Sequence, residues 1–124
     1  MKKEVVQLNS AEKPVGPYSQ MIRYGNLLFL SGQVCGDPDA ASDIGLQTTR
    51  IMERINLMLK ETGSSLEQAL KCNVYLKDAR DFDAMNRAYA SFFKGEYPAR
   101  ITVYGVQMYG GCGVEIDVIA GTEE

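Results

Sequence analysis

The side chains best equipped for chemistry lie late in the chain. Arg100, Thr102 and Tyr104 alternate with apolar residues in one run, and Glu115 and Asp117 alternate in a second. The absence of histidine narrows what such a set can do. It removes the Ser-His-Asp triad, the Cys-His pair and histidine-ligated zinc together. Chemistry must then use carboxylates, arginine, tyrosine, hydroxyls, backbone amides or bound water. A cysteine nucleophile would need a helix N-terminus or a neighbouring cation in place of imidazole. Cys112, flanked by Gly111 and Gly113, is the one candidate, and a tight loop explains its surroundings more simply. The Gly110-Gly111-Cys112-Gly113 run lacks the Gly-Lys-Ser/Thr ending of a phosphate loop and is not taken for one.

The elements that must position these groups begin with the stretch from Pro98 to Ala120. Ala99 to Val106 and Val114 to Ala120 both alternate and are rich in β-branched residues, which suits half-buried strands. The glycines between them predict an antiparallel hairpin with a long loop. Register then sorts the faces. Ile101 and Val103 join Val114, Ile116 and Val118 on the core side, and Arg100, Thr102, Tyr104, Glu115 and Asp117 share the second side. A face left to solvent, or an ion pair between Arg100 and Asp117, accounts for the same residues. In such a hairpin Glu115 lies four to six residues along from Arg100, roughly 13–20 Å away. A small ligand cannot span that distance, so the pattern predicts a site completed by a neighbouring subunit.

Upstream, Val5 to Leu8 reads as a short strand. Gln20 to Tyr24 and Leu27 to Ser31 read as a hairpin about a primed turn at Gly25-Asn26. Ser31-Gly32-Gln33 then leaves into a loop. A helical period starts at Ser42 or Asp43, with Ile44, Ile51, Met52, Ile55, Met58 and Leu59 on one stripe and Gly63 as the residue past its end. Ser64-Ser65-Leu66-Glu67 reads as a capping box for a brief helix. Lys71 to Lys77 alternates as a strand, and Asp81 to Phe93 carries a second apolar helical stripe ending before Gly95. The order β-β-β-α-β-α-β-β predicts an α+β fold, a mixed six-stranded sheet with two long helices on one face. The open face, with Thr102, Tyr104, Val106 and Ile119 assigned to it, is too apolar to stay wet, and self-association is its expected cover.

Composition sets the outer limits. The length predicts a single domain over residues 1–124 with a core of its own. Formal net charge is −3 with both signs interspersed, which argues against a nucleic-acid grip through a basic surface. No apolar run reaches membrane-spanning length, and no signal segment follows Lys2 and Lys3. Cys35, Cys72 and Cys112 are odd in number and widely spaced, the pattern of reduced thiols, so a cytoplasmic location is expected.

Several motifs taken together carry a resemblance. Gly16-Pro17-Tyr18-Ser19-Gln20, Ser31-Gly32-Gln33, Asp81-Phe82 with Asn86, Tyr89 and Phe92-Phe93, Pro98-Ala99-Arg100, and Val114-Glu115-Ile116-Asp117 with Ile119-Ala120 resemble the Rid family of reactive-intermediate imine/enamine deaminases. The likeness runs over nearly the whole chain. It implies a chorismate-mutase-like α+β fold in a trimeric barrel-like assembly. It also implies hydrolysis of small 2-imino or enamine acids, such as 2-aminoacrylate and 2-iminopropionate, to 2-oxo acids and ammonia, without metal or organic cofactor.

The resemblance assigns roles that suit the residue types. Arg100 would bind the substrate carboxylate through a planar two-pronged contact. Glu115 would orient water for attack on the imine carbon. Ser31, and backbone amides near Gly32 and Thr102, would hold the substrate, while Tyr18 and Asn86 shape the pocket. Two features depart from the family: Thr102 stands where a cysteine is common, and Met108 to Gly113 replaces the usual Leu-Pro link. Two other functions remain open at this level, a 2-oxo acid-binding regulatory trimer that turns nothing over and an RNA-cleaving translation inhibitor.

Overall fold

The computed structural model describes residues 1–122 and is organised around one mixed sheet. The strands are β1 (Lys3–Val5), β2 (Met21–Tyr24), β3 (Leu27–Leu30), β4 (Gln33–Val34), β5 (Ala69–Leu76), β6 (Ala99–Tyr104) and β7 (Val114–Gly121). Two helices, α1 (Ile44–Glu61) and α2 (Phe82–Ala90), complete the fold. The expected α+β architecture is present, with one strand more than the sequence pattern foresaw: β4 falls where a loop was expected and pairs with β7.

Local chemistry explains most of the boundaries. Gly25 takes the positive φ of 64° that closes the β2–β3 turn. Asp43 caps α1 by accepting from Leu46 N at 3.0 Å. Past its end, Gly63 adopts φ 81°. The apolar stripe of α1, including Ile51, Met52, Ile55, Met58 and Leu59, is fully buried. The helix α2 is shorter than its stripe, because Phe92 and Phe93 lie in the turn beyond it. The capping box at Ser64 is not formed; Ser64 Oγ instead donates to Gly121 O at 2.6 Å, and the segment Leu66–Gln68 is one 3₁₀ turn. Similarly, β1 lies at Lys3–Val5 rather than Val5 to Leu8.

The strand order β1-β2-β3-β7-β5-β6 corrects the expected hairpin. β7 pairs with β3, β4 and β5, and β6 pairs with β5 alone, in parallel. A parallel neighbour needs a crossover, and α2 supplies it between β5 and β6. The link from β6 to β7 therefore passes over β5 instead of turning back tightly.

This topology also reverses the faces of β6. Arg100, Thr102 and Tyr104 stand in register with Cys72, Val74 and Leu76, which are buried under the helices. Ile101 and Val103 lie opposite Asn73 and Tyr75 on the far side, 55% and 38% exposed. Val114, Ile116 and Val118 do face the core, as expected. The apolar residues of the open face are thus Val5, Ile22, Phe29, Ile101, Val103 and Ile119, while Thr102 and Tyr104 belong to the helix side.

Candidate active site in two halves

Six of the seven sequence-derived residues line two separate cavities, and Thr102 lines neither. The first, of about 440 Å³, is lined by Asn86, Arg87, Tyr89, Ala90, Tyr97, Pro98 and Arg100. The second, of about 460 Å³, is lined by Val15, Gly16, Pro17, Tyr18, Ser31, Gly32, Val34, Tyr109 and Glu115. Arg100 and Asn86 come together in one; Tyr18, Ser31, Gly32 and Glu115 come together in the other.

The Arg100 half is built by α2 and β6. The guanidinium carbon lies 4.9 Å from the Tyr89 ring centroid and 5.9 Å from that of Phe82. Stacking on aromatic faces holds the cation in place while leaving its N–H edge free. Among the described residues, Arg100 makes no ion pair and no side-chain hydrogen bond. Pairing with Asp117 is ruled out by geometry, since the two residues project from opposite faces and Asp117 accepts from Asn73 Nδ2 at 2.8 Å. Thr102 lies two residues along on the side of Arg100, its hydroxyl buried without a partner among the described residues. As β6 is an edge strand, one row of its backbone N–H and C=O groups faces away from the sheet.

The Glu115 half is built where β4 meets β7. Glu115 stands on the open face between Val34 and Tyr75. Its carboxylate lies directly over Gly32, where a Cβ would fall 2.8 Å from the carboxyl carbon. Gly32 is required here for close approach, not for backbone conformation. Burial raises the Glu115 pKa above the usual carboxylate range, and the neighbouring Asp117 charge adds to the shift.

Buried amides and hydroxyls fix this half from behind. Ser31 spends its hydroxyl on Ser19 O and its N–H on Gln20 O, so its side chain ties the Tyr18 segment to β3. Gln33 is buried and donates to Gln20 Oε1 at 3.0 Å and to Ser31 O at 3.1 Å. Arg54 on α1 donates to Val34 O at 2.8 Å. Cys112 is buried, its thiol pKa pushed up chiefly by that burial, which makes it a poor nucleophile. Among the described residues no cluster of three or more Cys, Asp or Glu could hold a metal ion, and no helix is long and apolar enough to cross a membrane.

Sequence reasoning missed some of the lining. Tyr89, which the sequence shows only as part of a helical motif, and Tyr97, which no pattern singles out, wall the Arg100 cavity. Tyr109 was seen only as part of an altered link. An aromatic residue next to a Gly-Gly pair was the available signal that it would stand out from the surface.

Arg100 and Glu115 are separated by more than their opposite faces. Arg100 aligns with Cys72 on β5, and Glu115 aligns with Tyr75, with β5 lying between their strands. Two strand spacings across and three residues along put their Cα atoms on the order of 14 Å apart. The side chains then diverge.

Comparison with known proteins agrees on the fold and the family. The sequence model described as Endoribonuclease L-PSP matches residues 8–122. A RutC family protein of Pyrococcus abyssi is 41% identical over 127 residues, covering 99% of this chain and all of its own. RidA from an Antarctic Psychrobacter superposes with a TM-score of 0.86 at 31% identity, covering 95% of this chain and 98% of the other. The Escherichia coli protein TdcF, whose structure was determined with bound serine, gives 0.87 at 26% identity, covering 97% and 99%.

Proposed function

This chain belongs to the Rid family, whose sequence model carries the description Endoribonuclease L-PSP, and we propose that it hydrolyses small 2-imino and enamine acids to 2-oxo acids and ammonia. The activity would be that of a cofactor-independent 2-iminobutanoate/2-iminopropanoate deaminase. The observation that carries this reading is the free guanidinium of Arg100, aromatic-stacked at the wall of a cavity and unpaired among the described residues. A planar donor held in this way matches a carboxylate in two-pronged fashion. The relative crystallised with serine adds support for a small ligand carrying a carboxylate and a nitrogen.

The two halves serve one ligand when copies of the chain pack together. The open face, with Phe29, Ile101 and Val103 exposed, is the surface that self-association would cover. A homotrimer would lay Glu115, Gly32 and Tyr18 of one copy against Arg100 and Asn86 of the next. Arg100 then holds the carboxylate, and backbone groups near Thr102 and Gly32 fix the rest.

Water adds to the imine carbon as Glu115 accepts its proton. That proton passes to nitrogen to give a carbinolamine. The carbinolamine hydroxyl then gives its proton to the nitrogen by way of Glu115 as the C=O bond forms and the C–N bond breaks, releasing ammonia and the 2-oxo acid. A carboxylate whose pKa is raised by burial is suited to both taking and returning that proton. With 2-aminoacrylate, protonation at the methylene carbon first gives the imine.

The test is ammonia release from 2-iminopropionate generated in solution. The wild-type chain is expected to accelerate release above the spontaneous rate. Arg100→Lys is expected to lose on the order of 100-fold in kcat/KM, because a point charge does not replace the fork. Binding of 2-oxo acids without any acceleration would instead favour the regulatory reading. Near-normal turnover by Arg100→Lys would remove the two-pronged contact from the account.

A further inference from the structure

The Glu115 cavity measures about 460 Å³ in the single chain, and its wall is mostly apolar. Among the described residues lining it Glu115 alone is charged; Val15, Pro17, Tyr18, Val34 and Tyr109 form the remainder of the wall with the small residues Gly16, Ser31 and Gly32, and the charges of Glu12, Lys13, Asp37 and Arg54 line the adjoining cavity.

Tyr109 is mounted, not loose. Met108 and Cys112 are buried on either side of it, and Gly111 N donates to Met108 O at 3.1 Å. Gly110 and Gly111 take φ values of 71° and 72°, a conformation that favours glycine. The turn they make carries Tyr109, 77% exposed, into the lining of the cavity that the half-exposed Tyr18 also lines.

Resting on the assignment of this cavity as the hydrolytic half, we propose that Tyr109 is a specificity-determining residue. With Tyr18 and Val15 it selects 2-imino acids bearing large apolar or aromatic side chains. Two rings offer extensive apolar area at little conformational cost. A substrate with a second carboxylate would bring it towards Glu115; among the described residues the cations Lys13 and Arg54 line the adjoining cavity rather than this one, and Arg54 is already tied to Val34 O.

The experiment compares kcat/KM for imines formed in solution by oxidase action on phenylalanine, alanine and aspartate. The wild-type chain is expected to prefer the phenylalanine-derived imine. Tyr109→Ala is expected to cut the phenylalanine-to-alanine ratio of kcat/KM about ten-fold, and Tyr109→Phe to keep the ratio. An unchanged ratio in Tyr109→Ala, or a wild-type preference for the aspartate-derived imine, overturns the proposal. So does an equal loss on all substrates with a change in sedimentation, which would make Tyr109 a packing residue between copies. Calorimetry with phenylpyruvate and pyruvate separates this from the hydrolase reading. If no imine is turned over, that reading fails. A wild-type preference for phenylpyruvate that Tyr109→Ala abolishes would still uphold the pocket, and the absence of that preference or its survival in the variant would sink it.

Discussion

Glu115 is set by what lies beneath it and beside it. The carboxylate occupies the space a side chain on Gly32 would need. Gly32→Ala must therefore displace it, and a shift of this size at a reacting group costs on the order of 100-fold in rate. The expected result is a fall in kcat with an unchanged melting temperature; a variant as active as the wild type would place Glu115 outside the chemistry. Beside it, Asp117 contributes to the raised Glu115 pKa, second to burial. If the active form is the carboxylate, the rate falls as pH drops through that pKa. Asp117→Asn removes the like charge and lowers the pKa, so the acid limb of the kcat/KM profile is expected to move to lower pH. A limb that stays in place would remove Asp117 from the tuning. At this scale the sequence was informative about residue types: Arg100, Asn86, Tyr18, Gly32 and Glu115 all line cavities. Ser31 lines the Glu115 cavity too, with its hydroxyl donated to Ser19 O, and Tyr109 was overlooked.

The strand β6 shows why element-level reasoning fell short. Its alternation was legible, but alternation says only that two faces differ, not which one meets the helices. Ile101 and Val103 were assigned to the core for being apolar, yet the open face is apolar too. Sequence neighbourhood favoured a β6–β7 hairpin; the strand–helix–strand order of β5, α2 and β6 was the better guide, since a helical crossover makes parallel neighbours. The 18-residue helix α1, with its Asp43 cap and Gly63 stop, was readable almost to its ends. What a single-residue pattern could not disclose is the buried bridge made by Gln47. Its Nε2 donates to Ala40 O at 3.0 Å, and its Oε1 accepts from Gly113 N at 3.1 Å, joining the entry of α1 to the entry of β7. Gln47→Leu leaves the Gly113 N–H unpaired in the interior, while Ala40 O keeps its bond from Asp43 N, and is expected to cost about 1–3 kcal/mol in urea unfolding. A loss within error of zero would show that the bridge is dispensable.

For the whole molecule, the decisive feature is that one chain displays Arg100 and Glu115 on opposite faces of the same sheet. The proposed shared site requires a cyclic assembly that closes each half against the other through a heterologous interface. The sequence led to the same conclusion from an incorrect hairpin, because both geometries keep the two groups too far apart for a small acid. The direct measurement is complementation. Inactive Arg100→Ala and Glu115→Gln chains are mixed where subunits exchange, with exchange followed by mass spectrometry. Random mixing of equal amounts gives wild-type pairing at about a quarter of the interfaces. The account predicts recovery of about a quarter of wild-type imine hydrolysis; verified exchange with no recovered activity would place both residues in one subunit's site and contradict it.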